Sequence, residues 1–146
     1  MSEDGDDEVD FGELRARLSD AVREQARAAL HHTLVAGTLF GFEAQSVAAK
    51  LAGFAADELD DTRRLIEKAV ALGCNPSVEV ARIDAADDAR GALTQLCDAE
   101  RRTLKALHAV IPETGQEEWS EALEHLLEHL IMRKQEQVDF LSRVLA

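Results

Sequence analysis

From residue 10 onward, apolar side chains recur in four stretches at steps of three and four, the period of a helix. Leu14, Leu18, Ala21, Val22, Ala29, Ala36 and Leu39 lie on one such stripe and predict a first helix that starts at Asp10. Asp10 and Glu13 have the spacing of a capping box, with Phe11 beside them. Gly37 and Gly41 near the end of the stripe predict a turn around Gly41 and Phe42. Val47, Leu51, Phe54, Leu65, Ala69 and Leu72 predict a second helix from about Glu43 to Leu72, and Gly73 through Pro76 stop it. A third stripe, Leu93, Leu96, Leu104, Leu107 and Ile111, predicts a helix from about Asp84 to Val110, closed by Pro112. Thr114 and Glu117 form a second capping box before a fourth helix, from Glu117 to about Val144, with Leu123, Leu127, Leu130, Val138 and Leu141 inside.

The connections order these helices. Short turns join the first to the second and the third to the fourth, so each pair is expected to be an antiparallel hairpin. The connection between residues 73 and 84 is longer and can carry the chain along the bundle. The fold expected is an all-α four-helix bundle with one long crossover.

Polar residues interrupt the stripes at mid-helix. Each helical residue turns about 100° about the axis. That rotation puts Gln25 and His32 on the inner face of the first helix and Glu58 and Asp61 on that of the second. The third contributes Glu100, and the fourth Lys134 and Gln137. Antiparallel packing brings them toward one layer. Buried charge costs several kcal/mol per ion unless it is paired or metal-bound, so the layer needs a reason. Two remain open. Glu58, Asp61, Glu100 and His32 are the residues able to ligate a metal in a bundle core. Lys134 offers three donors and no lone pair when charged, and is a natural counter-ion for Glu58 and Glu100.

Charge and composition narrow the function classes. The formal net charge is -13, which disfavours nucleic-acid and anionic membrane partners, and with Tyr absent and aromatics at 4 % stacking platforms for single-stranded nucleic acid are not expected. Cys74 and Cys97 are isolated and have no metal-type spacing. No signal-type segment or membrane-length apolar run is visible, so a cytoplasmic protein is expected. Residues 1–9 are mostly acidic and are expected to form a disordered tail ahead of a bundle spanning 10–146. His125 and His129, spaced i, i+4, are placed away from the core stripe and face solvent or a second subunit. His31 and His32 diverge by about 100° and do not share one simple site.

Three stretches resemble a known family. ELDDTRRLIEKAVALGCNP, from Glu58 to Pro76, resembles the second helix of bacterioferritin, with its Glu-x-x-His, aliphatic stretch and glycine-proline exit. RKQEQVDFL resembles the fourth-helix pattern Glu-x-x-His-Ile-Asp-x-Leu, and AERRTLKALHAVI resembles the third helix with Glu100 in register. The resemblance runs over roughly residues 10 to 145 and implies a ferritin-like fold. It also implies a changed diiron centre. The first-helix glutamate falls on Gln25, with Glu24 one position away. Glu58 matches, but Asp61 stands for the histidine of the second helix. In the fourth helix Lys134 takes the glutamate position and Gln137 the histidine position. Leu59 stands where bacterioferritin has its haem-ligating methionine, so no haem is implied.

The resemblance and its altered ligand positions together imply a ferritin-like protein with a degraded diiron centre, a structural or interaction module without ferroxidase turnover and without a cofactor. The alternative is an iron-binding ferritin-like oxidase or storage protein, with Glu58, Asp61, Glu100 and His32 as an unusual ligand set. A third reading is a partner that co-assembles with an intact ferritin subunit. Bacterioferritin-like dimers pair through the first two helices, so the resemblance implies a homodimer or a larger homo-oligomer. Ala26, Ala28, Ala29, Ala44, Ala48 and Ala49 supply the small residues that permit such contact.

Overall fold

The computed structural model describes residues 10–111 and 115–146. Four helices account for the architecture: α1 (Phe11–Thr38), α2 (Gln45–Ala71), α3 (Ala89–Val110) and α4 (Glu118–Leu145). Among the described residues there is no strand. The expected tail of residues 1–9, the stop at Pro112 and the Thr114 half of the second capping box lie outside the described residues.

Local chemistry sets the helix ends. The Asp10 side chain accepts from Glu13 N–H at 3.0 Å and starts α1. α2 ends in a Schellman motif: Gly73 N–H donates to Val70 at 3.0 Å and Cys74 N–H to Ala69 at 2.9 Å. Gly73 takes the positive φ of 82° that this motif needs, and Gly41 a φ of 103° in the α1–α2 turn. Three starts differ from expectation. α2 begins at Gln45 rather than near Glu43. α3 begins at Ala89 rather than near Asp84, because Asp88 caps it by accepting from Gly91 N–H at 2.6 Å. α4 begins one residue late, since Glu117 is itself the extended N-cap and makes no side-chain cap bond.

Two apolar clusters fix the direction of each helix. One joins Leu14 and Leu18 of α1, Leu65 and Ala69 of α2, Leu107 and Val110 of α3, and Leu123 and Leu127 of α4. The other joins Val35, Leu51, Leu93, Leu96, Val138 and Leu141. The start of α1 therefore sits with the ends of α2 and α3 and the start of α4. α1 and α4 run one way and α2 and α3 the other, so the segment between α2 and α3 crosses the length of the bundle. α1 packs on α2 and α3, α4 packs on α3, and the α2–α4 side is the loosest. Each fully buried leucine contributes roughly 1.5–3 kcal/mol. Ala26, Ala28 and Ala29 are buried within the bundle itself, so these three do not offer a small-residue face to a second copy. None of the described helices is long and apolar enough to cross a membrane.

Candidate functional site

Between the two apolar clusters lies a polar layer. α1 supplies Gln25 and His32, two helical turns apart on its inner face. α2 supplies Glu58, Asp61 and Thr62, α3 supplies Glu100 and Thr103, and α4 supplies Lys134 and Gln137. Gln25, His32, Glu58, Asp61, Glu100, Lys134 and Gln137 are each exposed by 2 % or less.

Lys134 occupies the middle of the layer. Its Nζ donates to Glu58 Oε1 and, at 3.2 Å, to Glu100 Oε1. Glu100 Oε2 is nearer, at 3.0 Å, but only Oε1 is aligned for a hydrogen bond, so the Oε2 contact is purely electrostatic. Gln25 Nε2 donates to Glu58 Oε2 from the other side. Thr62 Oγ1 donates to the Glu58 carbonyl at 2.7 Å, a bond back along its own helix. One ammonium balances one carboxylate. Burial holds the Glu100 carboxyl protonated up to about 8, against the pull of Lys134 in the opposite direction. A protonated Glu100 leaves the layer close to neutral, which removes most of the cost of burying it.

His32 stands beside these groups. Its Nδ1 lies 2.9 Å from the Ala28 carbonyl, which assigns the proton to Nδ1 and leaves Nε2 with a lone pair. Nε2 is buried and has no hydrogen-bond partner among the described residues. Burial pushes the His32 imidazole down to about 4, with Glu58 raising it and Lys134 lowering it. His31 is also buried and also falls to about 4, through burial first and then the charges of Arg27, His32 and Arg102. The two rings diverge, as their adjacency requires.

Of the four sequence-predicted ligands, three come together. Ligand atoms of His32, Glu58 and Glu100 all lie within 4.8 Å of one another. Asp61 is outside that group. Its Oδ2 lies 3.4 Å from Arg133 Nε, at the α2–α4 seam, and burial raises its carboxyl while Arg133 draws it down. Arg133 also reaches Asp57 at 3.4 Å and His129 at 3.0 Å. Neither Arg133 nor Thr62 stands out in the pattern of apolar stripes. Thr62 directly follows Asp61, which could have placed it near the layer, but which carboxylates Arg133 meets is decided by helix packing alone.

A pair of iron ions in such a bundle takes about four carboxylates and two imidazoles. The layer offers Glu58, Glu100 and His32 around an ammonium, with Gln137 contributing an amide whose two polar atoms have no protein partner. This donor set does not fit a dinuclear centre. A single ion would have His32, Glu58 and Glu100 to hold it, once Lys134 had swung away; the His32 nitrogen facing Glu100 Oε1, at 3.6 Å, is Nδ1.

Comparison with known proteins places the fold. A ferritin-like domain model of the Ferritin family matches residues 15–146. No curated protein matches the chain. A ferritin-like diiron-carboxylate protein from Bacillus anthracis superimposes with a TM-score of 0.82 at 23 % identity, covering 94 % of this chain and 98 % of that one. A dodecameric thioferritin, the bacterioferritin-related protein of Bacteroides fragilis, gives 0.81 at 16 % identity over 92 % and 85 %. Rhodobacter capsulatus bacterioferritin gives 0.74 at 16 % identity over 92 % and 84 %. At these identities the structures establish the fold, and the family match covers nearly the whole bundle: this chain belongs to the ferritin family and is a ferritin-like domain.

Proposed function

We propose that this protein is a ferritin-like module in which a lysine ammonium has replaced the metal charge, so that the bundle persists without ferroxidase turnover. The observation that carries this reading is Lys134 Nζ between Glu58 and Glu100. In a diiron bundle, metal cations compensate the inward carboxylates. Here an internal cation does so with no ion to acquire or lose. The bundle then serves as a rigid scaffold, and its work lies on its surfaces. Aerobic loading with ferrous iron, followed by metal analysis and oxygen uptake, tests this. The expected result is no stoichiometric iron and no oxygen consumption above that of free iron. One or two irons per chain with oxygen uptake would overturn it.

A second reading has its own observation. His32 Nδ1 lies 3.6 Å from Glu100 Oε1, and this imidazole is one of three metal-type ligands within 4.8 Å of one another. With Glu58 and Glu100 it would hold one iron, as an oxidase or storage site, with Asp61 at the edge of the set. One iron per chain whose binding fails in His32→Ala would establish this reading.

We also infer self-association. The Bacteroides fragilis relative is dodecameric. Leu30 of α1 and Leu59 of α2 are exposed by 53 % and 65 %, apolar area that a second copy would cover. A homodimer or larger homo-oligomer is expected by light scattering at micromolar concentration. Mixed assembly with an intact ferritin subunit would appear in the same experiment, run with both chains.

A further inference from the structure

The α2–α4 side, the loosest of the four, opens into a groove of about 550 Å³. Its basic lining comes as two rungs. Arg64 and Lys68 are spaced i, i+4 on α2, and His125 and His129 are spaced i, i+4 on α4. Because the helices are antiparallel, Lys68 shares a level with His125 and Arg64 shares a level with His129. The rungs are one helical turn apart, about 6 Å along the axis.

Arg64, Lys68 and His129 are half-buried in the groove rather than extended into solvent. Among the described residues neither Arg64 nor Lys68 has an ion-pair partner. Among the described residues, the one carboxylate lining the groove, that of Glu67, is held by Arg63 at 2.5 Å. His125 Nδ1 has Glu128 no nearer than 3.9 Å. Arg64 feels Asp60 and Asp61 electrostatically, but neither cation of this basic strip is held in an ion pair among the described residues, on a chain of net charge -13. Such a strip reads poorly as a cation site, since Arg64 and Lys68 would repel the ion. His125 and His129 also join no group of three metal-type ligands among the described residues.

We propose that this groove binds a linear polyphosphate-type anion, with one phosphate group seated on each rung. Pyrophosphate, triphosphate and the phosphate chain of a nucleotide share that chemistry. The guanidinium of Arg64 supplies a planar fork, Lys68 a point charge, and the imidazoles ring N–H donors, His129 through Nδ1 because its Nε2 accepts from Arg133. Leu126, Ala71 and Ala122 give the groove an apolar part on which a nucleoside could rest. The proposal is independent of whether the polar layer holds iron.

Isothermal titration of the full chain with inorganic phosphate, pyrophosphate, triphosphate and ATP tests it. Pyrophosphate and triphosphate are expected to bind roughly tenfold or more tightly than phosphate, because two rungs are engaged instead of one. The double change Arg64→Gln, Lys68→Gln should weaken binding by roughly tenfold or more with an unchanged melting temperature. Lys105→Gln, on exposed α3 surface, should leave binding unchanged. ATP equal to triphosphate identifies the phosphate chain alone as the ligand. Tighter ATP puts the nucleoside on Leu126. No binding of any of the four at millimolar anion, or binding that the double variant leaves intact, would overturn the proposal.

Discussion

Lys134 Nζ lies 3.0 Å from Glu100 Oε2, and neither side chain is exposed by more than 1 %. The pair joins α4 to α3 through the interior, and Glu58 on α2 completes the link from the opposite side. A cation so placed cannot snorkel to water. Its role is decided by what remains when it is removed.

Lys134→Ala strands carboxylate charge in a dry layer. Breaking a buried pair in this way typically costs roughly 3–5 kcal/mol, and that loss is expected in urea denaturation at pH 7.5. At pH 5 the loss should be smaller, because the carboxylates can take up protons. Lys134→Met, which keeps the volume, should lose most of the same stability, and adding Glu58→Gln should restore much of it. A loss below about 1 kcal/mol at both pH values would show that the ammonium is not an internal counter-ion.

Stability should peak near pH 6.5. Glu100 has a folded value raised to about 8 from 4.5, so its contribution is complete below 4.5 and is lost as pH rises toward 8. His31 and His32 have folded values lowered to about 4 from 6.5. The unfolded chain therefore binds their protons first, and stability falls as pH drops from 6.5 toward 4. Denaturation midpoints at pH 5, 6.5 and 8 should trace both limbs. Glu100→Gln should flatten the alkaline limb and steepen the acidic one, because Glu100 opposes the two histidines between pH 4.5 and 6.5. A wild-type midpoint that rises steadily from pH 6.5 to 8 would contradict this.

Much of this layer is legible in the sequence because helical rotation is a strong constraint. Gln25, His32, Glu58, Glu100, Lys134 and Gln137 share stripes with leucines, and all six are buried. Rotation gives the face of one helix but not its neighbours. Asp61 meets Arg133 instead of joining His32, because the α2–α4 seam draws it aside. His129, off the core stripe, is half-buried because the same seam is loose enough to form a groove. The start of α3 is hard to read for a different reason. Asp84, Asp87 and Asp88 are all competent caps, and the choice among them depends on the path of the crossover.

That choice can be measured. The Asp88 carboxylate satisfies the Gly91 N–H, so Asp88→Ala should cost about 0.5–2 kcal/mol and speed amide exchange in the first turn of α3. Asp84 pairs only with Arg82, and both side chains are more than half exposed. Asp84→Ala should change stability by less than about 0.5 kcal/mol. Equal losses for the two variants would mean that α3 starts earlier in solution.

The strongest test of the lysine is to reverse it. Lys134→Glu with Gln137→His exchanges a cation and an amide for a carboxylate and an imidazole on the inner face of α4, beside Glu58, Glu100 and His32. Without metal, three carboxylates in one buried layer repel, so the apo double variant should melt well below the wild type. A divalent cation would relieve that repulsion, and binding to the folded state alone raises stability by mass action. Anaerobic ferrous iron should therefore raise the melting temperature of the double variant and leave the wild type unmoved. Metal analysis should find about one iron per variant chain, given that three carboxylates and two imidazoles fall short of the four and two a dinuclear centre uses. Lys134→Glu alone should gain less, since it adds charge without the imidazole. If the wild type is stabilised by iron as strongly as the double variant, Lys134 does not exclude metal, and the single-ion reading built on His32, Glu58 and Glu100 takes its place.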